Sequence, residues 1–201
     1  TDCGSRPASR QVWRICSRMR SKLSVMDAGE KAGLVAVMNL PRDADILWHT
    51  ALALSRRSGG VSPHGYFLPP LLFFTDPDRT PAPWEVAARL PKGSAVVYRA
   101  FSRPDTDEVG QKIRRACDLS GALMLVGRDP DLAIWLGADG IHLPERDLGN
   151  ATEIRARRPD WLITCALHGD LAGRSLGDVD AVVVSPVFLA GGASASKPQL
   201  G

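Results

Sequence analysis

The chain has 201 residues, 44% of them hydrophobic and 23% charged, with a formal net charge of +3. That length accommodates one sizeable core, and so small a positive excess argues against nucleic acid as a partner. No apolar run is long enough to span a membrane, and no apolar stretch of signal-peptide type follows the basic N-terminus, so no membrane partner is expected. The cysteines Cys3, Cys16, Cys117 and Cys165 are scattered and form no CxxC pair. This disfavours zinc and a disulfide framework and fits reduced thiols in a cytoplasmic protein.

In chain order, residues 1–42 read as a basic tail without stable structure. Within it, RQVWRICSRMRSKL (10–23) places Val12, Ile15, Met19 and Leu23 at helical spacing. A basic helix of this kind suits an anionic surface, and it equally suits a solvated tail. The start at Thr1 rather than Met suggests a fragment or a processed terminus. Residues 43–70 read as a helix and a linker. DADILWHTALALSRRSGG is amphipathic, with Asp43 or Asp45 available as N-cap and a Gly pair as stop. VSPHGYFLPP is rich in turn residues.

Residues 71–201 alternate short apolar runs with helical segments. The runs are LLFFTD, AVVYRAF, ALMLVGR, DGIHLPE, WLITCALHG and AVVVSPVF. The segments between them are APWEVAARL, DEVGQKIRRACDLSG, DPDLAIWLGA, ATEIRARRPD and DLAGRSLG. Gly121 ends the second of these, Asp129 caps the third with Pro130 at its first position, and Asn150 is a candidate cap for the fourth. Nearly continuous apolar strands alternating with helices imply right-handed βαβ units and a parallel sheet. No GxGxxG or P-loop pattern is present, so six βα repeats fit a TIM-type (β/α) barrel better than a nucleotide-binding fold.

In such a barrel the chemistry lies at the C-terminal strand ends. Those ends carry Thr75 and Asp76, Tyr98 and Arg99, Arg128, His142, Glu145 and Asp147, His168, and Ser185. Arg99 sits in an apolar context and needs an anionic partner, either a carboxylate such as Asp76 or a ligand phosphate. Each of the others also suits a strand end meeting solvent or a helix cap.

The segments LGADGIHLPERDL, LLFFTD and AVVVSPVF with its trailing KPQLG resemble the thiamine phosphate synthase family, including its sister thiazole tautomerase (TenI-like). The resemblance spans 71–201, six of the family's eight βα units. It implies a transferase that joins a pyrimidine methyl diphosphate to a thiazole phosphate, releases pyrophosphate and uses Mg²⁺. It implies Asp147 as a metal ligand, Arg99 facing the diphosphate, His168 as a base and Lys197 in the phosphate loop; Thr75, Arg128, His142 and Ser185 at the strand ends, with Ser194 and Ser196 of the small-residue loop, complete the candidate phosphate-binding set. These residue types suit the chemistry, because a departing diphosphate needs cationic stabilisation and a tautomerase needs a base titrating near neutrality.

The departures from the family pattern are many. Val97 and Phe101 stand where the strand-two motif has Gln and Lys around Arg99. Gly127 and Arg128 replace an Asn-Asp pair, which removes the second metal carboxylate. Glu145 replaces Gln, and Ala166 replaces the Ser of an SxH segment. Arg128 is therefore expected to neutralise phosphate in place of the lost metal. A transferase, a tautomerase using His168, and a non-catalytic thiamine or thiazole phosphate-binding module all remain open. Six strands do not complete an eight-stranded barrel, which suggests a truncated chain or a sixth-strand edge that pairs with a second copy.

Overall fold

A computed structural model describes residues 42–169 and 175–188. The expected basic tail, most of the DLAGRSLG helix, and Ser194, Ser196 and Lys197 lie outside the described residues.

Helix α1 (Arg42–Arg57) comes first, with Asp43 and Asp45 in its first turn. The sheet follows as β1 (Leu72–Phe74), β2 (Ala95–Tyr98), β3 (Leu123–Gly127), β4 (Gly140–Leu143), β5 (Leu162–Leu167) and β6 (Ala181–Val184). All neighbours are parallel and the spatial order equals the sequence order. The strands curl into a half-barrel of TIM type. Among the described residues no pairing joins β1 to β6. The connecting helices are α2 (Pro83–Arg89), α3 (Thr106–Ser120), α4 (Pro130–Trp135) and α5 (Ala151–Arg157).

The inner strands β2 to β5 bury both faces, as their unbroken apolar runs require, while β1 and β6 at the edges are only partly buried. One set alternates through Val96 and Tyr98, Met124 and Val126, Ile141 and Leu143, and Ile163 and Cys165. These residues join Ile113, Cys117, Leu132 and Leu136 of the helical layer in one core cluster. Burying each large aliphatic side chain contributes about 1.5–3 kcal/mol. The Tyr98 hydroxyl reaches Thr106 O at 2.8 Å, and burial pushes its pKa up to about 12. The opposite set is Phe74, Val97, Leu125, Gly127, His142, Thr164, Ala166 and Val183, which faces away from the helices. In β4 the approach to β5 is so close that a Cβ on Gly140 would lie 2.0 Å from Leu162 O.

Local signals place the turns. Asp129 caps α4, accepting from Leu132 N at 2.9 Å, and Pro130 follows it. Gly121 ends α3 in the left-handed conformation at φ 75°. Asn150 does not cap α5. It closes a 3-10 turn (Glu145–Asn150), has helical φ and ψ, and makes no side-chain capping bond. β2 is also shorter than expected and ends at Tyr98, so Arg99 follows the strand rather than lying inside it. Its side chain is 36% exposed.

The turn-rich linker is pinned rather than loose. Val61 and Phe67 form an antiparallel bridge, and the tip of that turn docks on the N-terminal end of β5 and β6. The buried Asp180 carboxylate accepts from Ser62 Oγ at 2.9 Å, Arg155 Nη2 at 2.6 Å and Ile163 N at 2.8 Å, and lies 3.1 Å from His64 Nδ1. Tyr66 Oη donates to Pro159 O, and the Arg155 guanidinium lies over the Tyr66 ring.

Candidate functional site

The C-terminal strand ends open into a cavity of about 1090 Å³. Its floor is the helix-free face of the sheet, through Phe74, His142, Ala166 and Val183. Its rim comes from the residues that follow the strands: Arg99 to Arg103 after β2, Arg128 to Pro130 after β3, Pro144 and Arg146 after β4, His168 after β5 and Ser185 after β6. Of the expected site residues, Arg99, Arg128, His142, His168 and Ser185 therefore line one cavity.

Thr75 stands one step back from it. Its side chain is buried, its Oγ1 accepts from Arg99 N at 2.9 Å, and its carbonyl accepts from Arg99 Nε at 2.8 Å. Thr75 thus seats Arg99 instead of facing the cavity. Arg99 Nη2 lies 3.6 Å from Asp76 Oδ2. The guanidinium sits 5.9 Å from the centroid of Phe74 and 5.0 Å from that of Phe101, so two aromatic rings fix its plane. Burial lowers its pKa from the usual arginine value, with Asp76 opposing. The group stays cationic.

His142 is buried at the centre of the floor. Its Nδ1 is 2.9 Å from Thr164 Oγ1, and Phe74 packs edge-on at 5.1 Å. The Thr164 hydroxyl donates to Ile141 O at 3.4 Å. That oxygen then accepts from Nδ1–H, and Nε2 carries the lone pair. Burial first, and the charge of Arg99 second, lower the His142 pKa to about 4. His142 is therefore neutral at physiological pH and adds no charge to the site.

His168 is held differently. Its Nδ1–H donates to Ser185 O at 2.7 Å, with Ser185 Oγ at 3.3 Å, and its backbone N–H donates to Glu145 Oε2 at 2.8 Å. The carbonyl partner fixes the tautomer, so Nε2 is the basic nitrogen. The Ser185–Pro186 peptide is cis. Phe188, two residues further on, is 80% exposed.

Asp147 lies in the 3-10 turn after β4. Its Oδ2 is 3.1 Å from Arg128 Nε, and its Oδ1 is 3.9 Å from Arg146 Nε. Among the described residues no group of three or more His, Cys, Asp or Glu side chains is placed to hold a metal ion. The carboxylate expected to ligate Mg²⁺ already faces two guanidinium groups, and a cation occupies the strand-three position. The described residues therefore do not fit a divalent cation at Asp147.

Sequence reasoning missed three rim residues. Arg103 and Arg146 come from loops, where no periodicity points inward. Phe101 reads only as a lost lysine, yet it stands 57% exposed over the cavity with φ 53°. Ser102 at φ 56° and Arg128 at φ 69° share that left-handed backbone. Three non-glycine residues in this region around one cavity point to a shaped functional rim. Arginines within five places after β2, β3 and β4 (Arg99 and Arg103, Arg128, Arg146) were the available signal.

These features define a half-barrel of (β/α) type with a cation-rimmed cavity at the C-terminal strand ends. The family model for thiamine monophosphate synthase matches residues 71–199, and the chain belongs to that family. It is 32% identical over 152 residues to the thiamine biosynthesis bifunctional protein ThiM/ThiE of Symbiobacterium thermophilum, covering 71% of this chain and 31% of that protein. It is 30% identical over 125 residues to thiamine-phosphate synthase of Nostoc, covering 59% of this chain and 35% of the relative. The chain thus spans about a third of the length of these curated relatives. Thiamine phosphate pyrophosphorylase from Pyrococcus furiosus superposes with a TM-score of 0.48 at 21% identity, over 59% of this chain and 60% of the other. No helix among the described residues is long and apolar enough to cross a membrane.

Proposed function

We propose that this chain serves thiamine biosynthesis as a thiamine-phosphate-synthase-like protein. In this reading the pocket takes phosphorylated small molecules and joins hydroxymethylpyrimidine diphosphate to thiazole phosphate. The thiazole nitrogen forms the new bond to the pyrimidine methylene carbon. The C–O bond to diphosphate breaks, and pyrophosphate leaves with the electron pair.

The observation that carries this is the convergence of Arg99, Arg103, Arg128 and Arg146 on one cavity. Guanidinium groups bind phosphoryl oxygens in pairs and hold charge that develops on a leaving diphosphate. Thr75, Phe74 and Phe101 pre-orient Arg99, so little reorganisation is needed when the ligand arrives.

The test is release of pyrophosphate from the two substrates together. The expected result is one pyrophosphate per thiamine phosphate formed, with a loss of roughly 100-fold in Arg99→Ala, the scale for removing one donor to developing negative charge. Binding of both substrates without release would overturn the transferase reading.

A second reading, thiazole tautomerisation, is supported by His168. With Nδ1–H anchored on Ser185 O, its Nε2 carries the lone pair that a proton-abstracting base needs. It would show as isomerisation of a thiazole carboxylate phosphate without pyrophosphate release, abolished in His168→Asn.

A further inference from the structure

We infer that the pocket binds its phosphoryl group without a divalent cation, and that Asp147 is the resting counter-ion of Arg128 and Arg146, displaced by the ligand. This rests on the phosphate-binding reading above and reassigns the residue that the family resemblance makes a metal ligand.

Two of the rim arginines have a carboxylate of their own. Arg99 is answered by Asp76 at 3.6 Å and Arg103 by Asp105 at 3.1 Å. Asp129 is committed to capping α4. Among the described rim residues, Asp147 alone serves two guanidinium groups, Arg128 at 3.1 Å and Arg146 at 3.9 Å. Both arginines are highly exposed, at 65% and 68%, whereas Asp147 is only 20% exposed. The carboxylate is therefore fixed in the wall and the arginines reach over it from the cavity side. Exposed ion pairs of this kind are weak, so an incoming anion with three or more oxygens can take over both cations. Arg128 is also held in the left-handed backbone region at φ 69°, which directs it from the end of β3 toward the turn after β4.

A metal ligand and a counter-ion predict opposite signs for one substitution. If Asp147 holds Mg²⁺, neutralising it weakens anion binding. If Asp147 competes with the anion for the arginines, neutralising it tightens binding. Titration calorimetry with inorganic pyrophosphate, in EDTA and again in excess Mg²⁺, separates the two.

The chain should bind pyrophosphate in EDTA, with no gain from Mg²⁺. Asp147→Asn should tighten binding by roughly threefold to tenfold, the scale of losing one screened charge a few ångströms away. Arg128→Ala should weaken it by about tenfold. Thermal melts of both variants report whether either change acts through folding. Binding that requires Mg²⁺ and weakens in Asp147→Asn overturns this inference and leaves the anion pocket standing. Failure to bind pyrophosphate in either buffer overturns both.

Discussion

The two ends of the sheet treat their charges in opposite ways. At the N-terminal end, Asp180 is buried and receives hydrogen bonds from a turn, a helix and a strand. Beside it, Arg114 Nη1 and Met124 N both bond Asp139 Oδ2, at 2.8 and 2.9 Å. At the C-terminal end the ion pairs are exposed, each cation has a replaceable partner, and three residues occupy strained backbone. A buried, fully engaged charge fixes structure, because losing one partner strands the other. A half-exposed, weakly paired charge can change partner when a ligand arrives. The fold therefore buries its fixed charges at one end and exposes its exchangeable ones at the other, the end where (β/α) barrels carry their sites.

The strongest way to break this contrast is to remove the N-terminal anchor. Asp180→Ala leaves Arg155 without its buried partner and frees the 61–67 turn, and about 4 kcal/mol of stability should be lost. Chemical denaturation measures it. A loss below about 1 kcal/mol would show that the turn is merely decorative. Gly140→Ala follows at about 3 kcal/mol, because its new methyl group meets Leu162 O at 2.0 Å and the β4–β5 pairing must shift. Neither change touches the pocket rim, so pyrophosphate affinity should persist wherever the variants remain folded.

At the C-terminal end, His142 ties stability to pH, and that dependence sharpens the comparison. The folded pKa of about 4 lies below the unfolded value of about 6.5. Between them the unfolded chain binds more protons, so the contribution is complete above about pH 6.5 and is lost as pH falls toward 4. The loss should be on the order of 3 kcal/mol. Denaturation midpoints from pH 7.5 to 4 give the slope, which His142→Phe should flatten. A slope unchanged in that variant would assign the acid sensitivity elsewhere. The smallest expected effect is Thr75→Val, which removes the oxygen that accepts Arg99 N. About 1 kcal/mol of stability is lost, and pyrophosphate affinity falls a fewfold because Arg99 is less firmly seated.

Much of this division is legible in the sequence. The six apolar runs mark the strands. Asp129-Pro130 and Gly121 mark helix boundaries by local chemistry that tertiary structure does not override. Asp76 as the partner of Arg99 follows from the cost of an unanswered guanidinium. Other features are set by contacts between distant residues and leave no local trace. Ser62 and Asp180 are 118 positions apart, so VSPHGYFLPP reads as a linker when it is an anchor. Asn150 has a capping side chain, but the 3-10 turn before it carries the chain into α5 and no capping bond forms. Arg103 and Arg146 enter the cavity from loops, whose direction only the fold determines. The cation at the strand-three end is visible as Arg128 in sequence. The second cation on Asp147 appears only in the structure.

The most direct test of the central claim pairs one substitution from each end in a single titration with thiamine phosphate. Arg99→Ala should reduce affinity at least about tenfold while stability changes by no more than about 1 kcal/mol. Asp180→Asn should lower the melting midpoint by several degrees and leave affinity unchanged below it. The contrary result is an Asp180→Asn protein that is folded yet has lost thiamine phosphate, beside an Arg99→Ala protein that binds as before. That outcome would put the ligand at the wrong end of the sheet.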